Sequence, residues 1–520
     1  MNQYFSKSRV AGRIAAGGSL LVGTAGVGMF LAPHAGATGS TFTVTNTNDS
    51  GAGSLRQALL DADANPGADT VVFDAAVTGT ITLTTGKLNV ADSVTVTGPG
   101  SANLTVSAAT DQIFYLYNAG VSRDVSISGL TLTGGAIAVN AWTTNLVLDD
   151  VVASGSTTFS LINSVSNYSE LAQSLTIRNS VVTGANIYGD GGGVGVFSGF
   201  GQHAVSIEST QITNNTAYRT GGLRVENASS VVVSNSLIKG NSSTYGRGGG
   251  AYFGSEVGDV QIVSTTVDSN SSHCHGGGLY LMNATVEILN STISNNSAPC
   301  TGGGVLFDDS RTVASISNTT ITGNTARGGG GVHMEAMTSL KINQSTITNN
   351  TSTDTGYDGG GIRLYSQGSS YPMTLTLSGT IVSGNTSANP ANADIDVMDG
   401  GATAVDSDHS LLGDGTVDSV VTLVGSGNLR SNTPGLGALA DNGGLTKTMA
   451  LLTGSPAIDA GPNPVATFTG NGFDQRATPY LRVYGGQVDI GAFEWQPTTT
   501  PSTTTSIEPS SDPVAPAFTG

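Results

Sequence analysis

Between residues 205 and 385, apolar and polar positions alternate in short runs that return again and again. One run follows each of a series of glycine clusters: Leu223-Arg224-Val225-Glu226, Ala251-Tyr252-Phe253-Gly254, Leu279-Tyr280-Leu281-Met282, Val305-Leu306-Phe307-Asp308, Val332-His333-Met334-Glu335 and Ile362-Arg363-Leu364-Tyr365. A second run, as in Val205-Ser206-Ile207, Val286-Glu287-Ile288 and Leu340-Lys341-Ile342, precedes a phrase of the type Ile293-Ser294-Asn295-Asn296-Ser297. Alternation with period two predicts strands. The recurring Asn215, Asn241, Asn270, Asn296, Asn324, Asn350 and Asn385 lie 26, 29, 26, 28, 26 and 35 residues apart, a spacing at which repeats mean stacked supersecondary units. Several strands per unit, glycine turns and no helical pattern between them predict successive turns of a parallel β-solenoid rather than a sandwich of hairpins.

If one unit is one turn, equivalent residues stack about 4.8 Å apart. The seven asparagines then form an internal amide ladder, since asparagine tolerates left-handed backbone and carries donor and acceptor together. An exposed turn position is the alternative. The ladder is favoured because one asparagine position recurs in every unit while the residue before it varies. The register traces back to Val125-Ser126-Ile127, which gives about ten turns up to Asn385, a rod of roughly 48 Å. Upstream, Gly53 to Ala62 predicts one helix, started by Ser54 with Gln57 three residues on and stopped by Asn65-Pro66-Gly67. Placed there, it covers the open end of the first turns.

The segments are therefore 1–37, a signal peptide; 38–124, an N-terminal cap with irregular first turns; 125–430, the regular solenoid; 431–495, a different C-terminal unit; and 496–520, a Thr/Ser/Pro spacer without apolar periodicity. The first segment has Lys7, Arg9 and Arg13, an apolar run from Ile14 to Ala32 and the small residues Ala35-Gly36-Ala37, the layout of a cleaved export signal. Removing it takes three basic residues and no acidic one, leaving 16 basic against 37 acidic, a formal charge of −21. Nucleic acid and anionic membrane are poor partners for such a chain. With 73 glycines and 11% charged residues, the outer surface is mainly hydroxyl and amide.

In the C-terminal unit, Leu436-Gly437-Ala438-Leu439-Ala440-Asp441-Asn442-Gly443-Gly444-Leu445-Thr446, Gly454-Ser455-Pro456-Ala457-Ile458-Asp459-Ala460-Gly461, Asp474-Gln475-Arg476 and Asp489-Ile490-Gly491-Ala492-Phe493-Glu494 form a specific set. It resembles the choice-of-anchor Q domain of exported bacterial right-handed β-helix proteins. Gly53-Ser54-Leu55-Arg56-Gln57-Ala58 resembles the CSLREA motif of that group, with Gly for Cys and Gln for Glu. The resemblance implies a secreted or cell-surface protein, but no catalytic set. The expected fold is all-β, a right-handed parallel β-helix with an N-terminal capping helix and a C-terminal β-rich cap.

In register, the runs after the glycines present an outward column Gly195, Arg224, Tyr252, Tyr280, Leu306, His333, Arg363, and beside it Phe197, Glu226, Gly254, Met282, Asp308, Glu335, Tyr365. Stacked tyrosines flanked by charges suit an elongated groove for a sugar polymer. Arg224, Glu226, Tyr252, Tyr280, His333 and Arg363 are the expected ligand-binding residues of an adhesive or glycan-binding monomer whose partner is an extracellular glycan or cell-surface component, with no retained transmembrane helix. The enzymatic alternative, a polysaccharide lyase or glycoside hydrolase, rests on analogy with other solenoids. A hydrolase needs two carboxylates about 5 to 9.5 Å apart, for which Asp308 and Glu335 are candidates. Similarity to the calcium-dependent lyases would imply an arginine base near the bound ion, for which Arg363, with His333 and Glu335, is the candidate. No cofactor is implied. Asn392-Ala393-Asp394-Ile395-Asp396 offers polar side chains for calcium without an EF-hand or nonapeptide pattern, and edge-strand solubility is its expected role.

The two cysteines, Cys274 and Cys300, each lie four residues after a ladder asparagine. On neighbouring turns their Cα atoms come within about 4.8 Å, inside the disulfide range, and a bridge closing such a loop contributes about 3.5 kcal/mol in the chain-entropy model. His273 and His275 flank Cys274 without a second cysteine in the same turn, so no metal site is expected.

Overall fold

The computed structural model describes residues 38–496, apart from 118–120, 167–171, 200–202, 255, 310, 337–338, 367–372, 399–403 and 415–422. The expected signal peptide, and the spacer beyond its first residue, lie outside the described residues. Every second side chain of the alternating runs points into one continuous apolar core: Leu279 and Leu281, Val305 and Phe307, Val332 and Met334, Ile362 and Leu364. The runs following the glycines pair in parallel as a sheet of 12 strands, from Leu88–Val90 to Ile395–Met398. The runs before the asparagines, such as Thr285–Leu289 and Val313–Ser317, pair in a second parallel ladder. Three-residue strands such as Thr292–Ser294 and Thr320–Thr322 make a third. The last two ladders merge through the long strands Arg123–Gly134 and Thr144–Ser154. One circuit per repeat across three parallel sheets is a right-handed β-helix of about 12 turns. Parallel pairing begins already at Thr41–Val44 with Asp69–Phe73, well before the expected start at Val125.

Both corners that flank the three-residue strands are held by side-chain ladders. At one, Asn241 donates from both its backbone N and Nδ2 to Asn270 Oδ1 at 2.9 and 3.0 Å, and from Nδ2 to Ile212 O at 2.8 Å. The pattern continues through Asn385, whose two donors end on Asp394 Oδ1 at 3.1 and 2.9 Å. The left-handed residue is not the ladder asparagine. It is the residue before it, Asn214, Gly240, Ser269, Asn295, Gly323, Asn349 or Gly384, and glycine or asparagine, which accept positive φ, fill six of these seven positions. At the other corner a left-handed residue such as Asn235, Ser264 or Asn290 precedes a buried hydroxyl. Thr210 N donates to Ser236 Oγ at 3.1 Å, and Thr265 N to Ser291 Oγ at 3.1 Å. This hydroxyl ladder satisfies backbone donors that the bend removes from the sheets.

The helix spans Leu55–Ala64, with Ser54 Oγ accepting from Gln57 N. The Gln57 side chain turns to Asp61 at 2.8 Å instead of closing the reciprocal bond. Leu55, Ala58, Leu59 and Ala62 join the core and cover its N-terminal end. The C-terminal region carries the antiparallel pair Leu436–Ala440 and Thr448–Leu451 among its described residues. It packs along the flank of the three-residue strands: Gln475 Oε1 accepts from Thr320 Oγ1 at 2.6 Å, Gln475 Nε2 donates to Ser291 O at 3.0 Å, and Arg482 Nη2 donates to Asn318 Oδ1 at 2.8 Å. Thr292–Ser294, Thr320–Thr322 and Thr346–Thr348 are therefore buried almost throughout.

Candidate functional site

The expected outward column is present in register, with Arg224 beside Tyr252, Tyr252 beside Tyr280, Leu306 beside His333 and His333 beside Arg363. It is not an exposed face. Tyr252 retains 8% of its accessible surface, and Tyr280, His333 and Arg363 retain 1% each. Two causes act together. Each residue lies under the left-handed glycine that opens its strand: a Cβ on Gly248 would stand 2.9 Å from Tyr252 Cβ, and one on Gly276 2.8 Å from Tyr280 Cβ. The column also packs on itself along the axis, the Arg224 guanidinium 4.5 Å over the Tyr252 ring and the Tyr252 and Tyr280 rings stacked at 5.2 Å.

The neighbouring column completes this packing rather than facing a ligand. Glu226 pairs with Arg224, Tyr280 donates to Asp308 Oδ2 at 2.5 Å, and His333 Nε2 lies 3.6 Å from Glu335. Arg363 lies 3.4 Å from Asp396, with its guanidinium 4.9 Å over Tyr357 and 5.2 Å over Tyr365. Burial, with Asp308 beside it, raises the Tyr280 phenol above its ordinary value, and burial lowers His333 despite Glu335. Asp308 and Glu335 are paired in register on adjacent turns, but Asp308 already holds a phenol proton donor. Arg363, the candidate lyase base, is enclosed. Asp394 and Asp396, expected at a soluble strand edge, are buried as well, one ending the amide ladder and the other facing Arg363.

The accessible chemistry sits one corner away, in the loops between ladder asparagine and glycine cluster. Tyr188, Tyr218, Tyr245 and His273 come from four consecutive turns, with ring centroids 4.5, 4.7 and 5.4 Å apart. Tyr188 is 83% and Tyr245 61% exposed. Beside this stack opens a cleft of about 510 Å³. Exposed Arg219, Tyr245, Arg247 and His273 line it together with buried Arg224 and Tyr252, and with Cys274 and His275. Arg219 is 3.3 Å from Asp190, whereas Arg247 reaches Tyr280 Oη at 2.5 Å and has no carboxylate partner among the described residues. Burial and the nearby Arg247 charge hold His275 below the usual imidazole value. Sequence reasoning passed over the tyrosines, although a signal exists: Tyr218 and His273 stand three residues, and Tyr245 four, after a ladder asparagine.

Cys274 and Cys300 form a disulfide with Cα atoms 4.7 Å apart. The second cysteine missing within the turn of His273 and His275 is supplied by the next turn, and ligand atoms of Cys274, His275 and Cys300 all lie within 4.8 Å of one another.

No curated protein matches the chain in sequence. Among solved structures it is similar to pectate lyase Pel9A, at 13% identity and a TM-score of 0.38 over 88% of this chain and 97% of that one. It is similar to tailspike protein 3 of bacteriophage CBA120, at 10% identity and a TM-score of 0.43 over 74% of this chain and 59% of that one. A third is the A-module of a mannuronan C-5 epimerase from Azotobacter vinelandii, at 14% identity and a TM-score of 0.36 over 74% of this chain and 97% of that one. None transfers an activity or a residue role. The family described as right handed beta helix region matches residues 149–337 and 263–411, which together span just over half of the chain, and the protein belongs to that family.

Proposed function

We propose that the chain is a secreted or cell-surface β-helix protein that binds an extracellular glycan in the cleft beside the Tyr188–Tyr218–Tyr245–His273 stack, in an adhesive role and as a monomer. The leader at 1–37 directs export and leaves with cleavage. The C-terminal region acts as a choice-of-anchor Q-like unit, and the Gly53 to Ala58 motif opens a CSLREA-like cap. Among the described residues no helix is long and apolar enough to cross a membrane.

The observation that carries the proposal is the coincidence of exposed aromatic surface with Arg247, a cation that has no carboxylate partner among the described residues. Tyr245, its ring stacked between those of Tyr218 and His273, lines the cleft together with His273. The phenol hydroxyl of Tyr245 offers a hydrogen-bond partner to sugar hydroxyls. Arg247 at its side offers a planar fork to a sugar hydroxyl or carboxylate. Buried Arg224 and Tyr252 complete the lining, and Tyr280 holds Arg247.

Affinity measurements on the mature chain with polyuronides and neutral glycans test the proposal. Tyr245→Ala with Arg247→Ala is expected to weaken binding by roughly ten-fold or more, at about 1 kcal/mol for each lost contact. Melting should fall only modestly, because both side chains are exposed, although Arg247→Ala gives up the bond to Tyr280 Oη. Unchanged affinity in a folded double variant would remove the site from this cleft. New reducing or unsaturated ends on the same glycans would make the protein an enzyme rather than a binder.

A further inference from the structure

At the cleft lie side chains that the proposed glycan site does not use. Cys274, His275 and Cys300 present two sulfurs and an imidazole nitrogen within 4.8 Å of one another. Two thiolates and one imidazole are a donor set that zinc takes in three-ligand sites with a fourth position open. We propose that the reduced chain binds a zinc ion through Cys274, Cys300 and His275, so that disulfide and metal are alternative closures of one pair of turns.

The backbone keeps the ligands in place without the S–S bond. Cys300 N donates to Cys274 O at 2.8 Å, Ser272 N to Ser297 O at 3.0 Å and Gly276 N to Thr301 O at 3.0 Å, bracketing the bridge on both sides. Four residues earlier the same turns are tied by the amides of Asn270 and Asn296. Zinc with Zn–S near 2.3 Å needs sulfurs about 3.8 Å apart, a separation that side-chain rotation supplies on Cα atoms 4.7 Å apart. His275 Nδ1 lies 2.8 Å from Thr301 Oγ1, an orienting contact of the kind that holds ligating imidazoles. Cys274 and His275 line the cleft, which gives the ion a path in and leaves room for water as fourth ligand.

The chemistry balances with a dithiol as reductant. The S–S bond breaks, two thiols form, and the dithiol is oxidised to its own disulfide. Zinc then displaces two thiol protons to solvent and forms two Zn–S bonds.

The test uses the full chain, reduced with a dithiol, freed of it without air, and titrated with cobalt(II) before competition by zinc. One equivalent of cobalt should produce a thiolate-to-cobalt charge-transfer band that zinc abolishes. The oxidised chain and Cys274→Ser with Cys300→Ser should show none. His275→Ala should lower the affinity at least about ten-fold while both thiols still alkylate. A reduced chain that keeps its β-sheet circular dichroism but gives no band overturns the proposal, as does a band indifferent to His275→Ala. Loss of the β-sheet spectrum on reduction overturns it equally, since the ligands must stay placed without the bridge.

Discussion

Asn296 shows how much one residue carries in this fold. Its Oδ1 accepts from Asn270 N and Nδ2, and its own Nδ2 donates to Val267 O and Asn324 Oδ1, all at 2.9 Å. It is fully buried. Asn296→Ala should therefore cost about 2–4 kcal/mol in chemical denaturation, because it strands buried backbone and amide groups as well as removing bonds. Asn296→Asp should cost at least as much, since a carboxylate oxygen would face Asn324 Oδ1, another acceptor. A loss under 1 kcal/mol for either would mean that the ladder contributes little. The ladder was legible from one recurring letter. The hydroxyl ladder at the other corner was less so, because Ser and Thr alternate there and both are abundant throughout the chain.

At the scale of the strand, alternation told which side chains enter the core and which leave it. Leu279, Tyr280, Leu281 and Met282 follow that rule. Period two does not tell what covers the outward side, and here left-handed glycines and axial stacking bury it. Tyr252 and Tyr280, though outward in register, are therefore buried side chains whose removal costs stability. Tyr280→Ala takes away a ring stacked on Tyr252, a contact with Arg247 and a hydrogen bond to Asp308. It should destabilise the chain by about 3–5 kcal/mol, whereas Tyr188→Ala, at the exposed end of the other stack, should change melting little. Equal melting temperatures for these two variants would contradict the burial of the column. The true accessible stack escaped notice because its members lie in loops, where no alternation marks them.

For the whole molecule, repeats made the stacking order readable, but not the place of the C-terminal region. Gln475 and Ser291 are 184 residues apart, and a contact of that kind leaves no periodic trace. Its inner layer is an ionic network: Asp474 pairs with Arg476 at 2.6 Å, and Arg482 lies 3.9 Å from Glu494 and bonds Asn318 on the solenoid. Glu494 also accepts from Tyr484 N and Asp489 N, at 3.2 and 3.0 Å. Burial, and then the Asp489 carboxyl, push Glu494 up to about 8. A carboxyl whose folded value is raised binds its proton more tightly in the folded state. Its contribution to stability is complete below about 4.5, the ordinary value, and is lost as pH rises toward 8. The melting temperature should accordingly fall between pH 5 and 8.5 as the buried carboxylate forms beside Asp489. Glu494→Gln should start lower at pH 5, because an amide cannot accept both backbone bonds, and then fall less steeply. Part of the slope should survive, since burial raises Asp489 too. Parallel pH profiles for wild type and Glu494→Gln would show that the proton on Glu494 does not govern how firmly this region holds the flank of the helix.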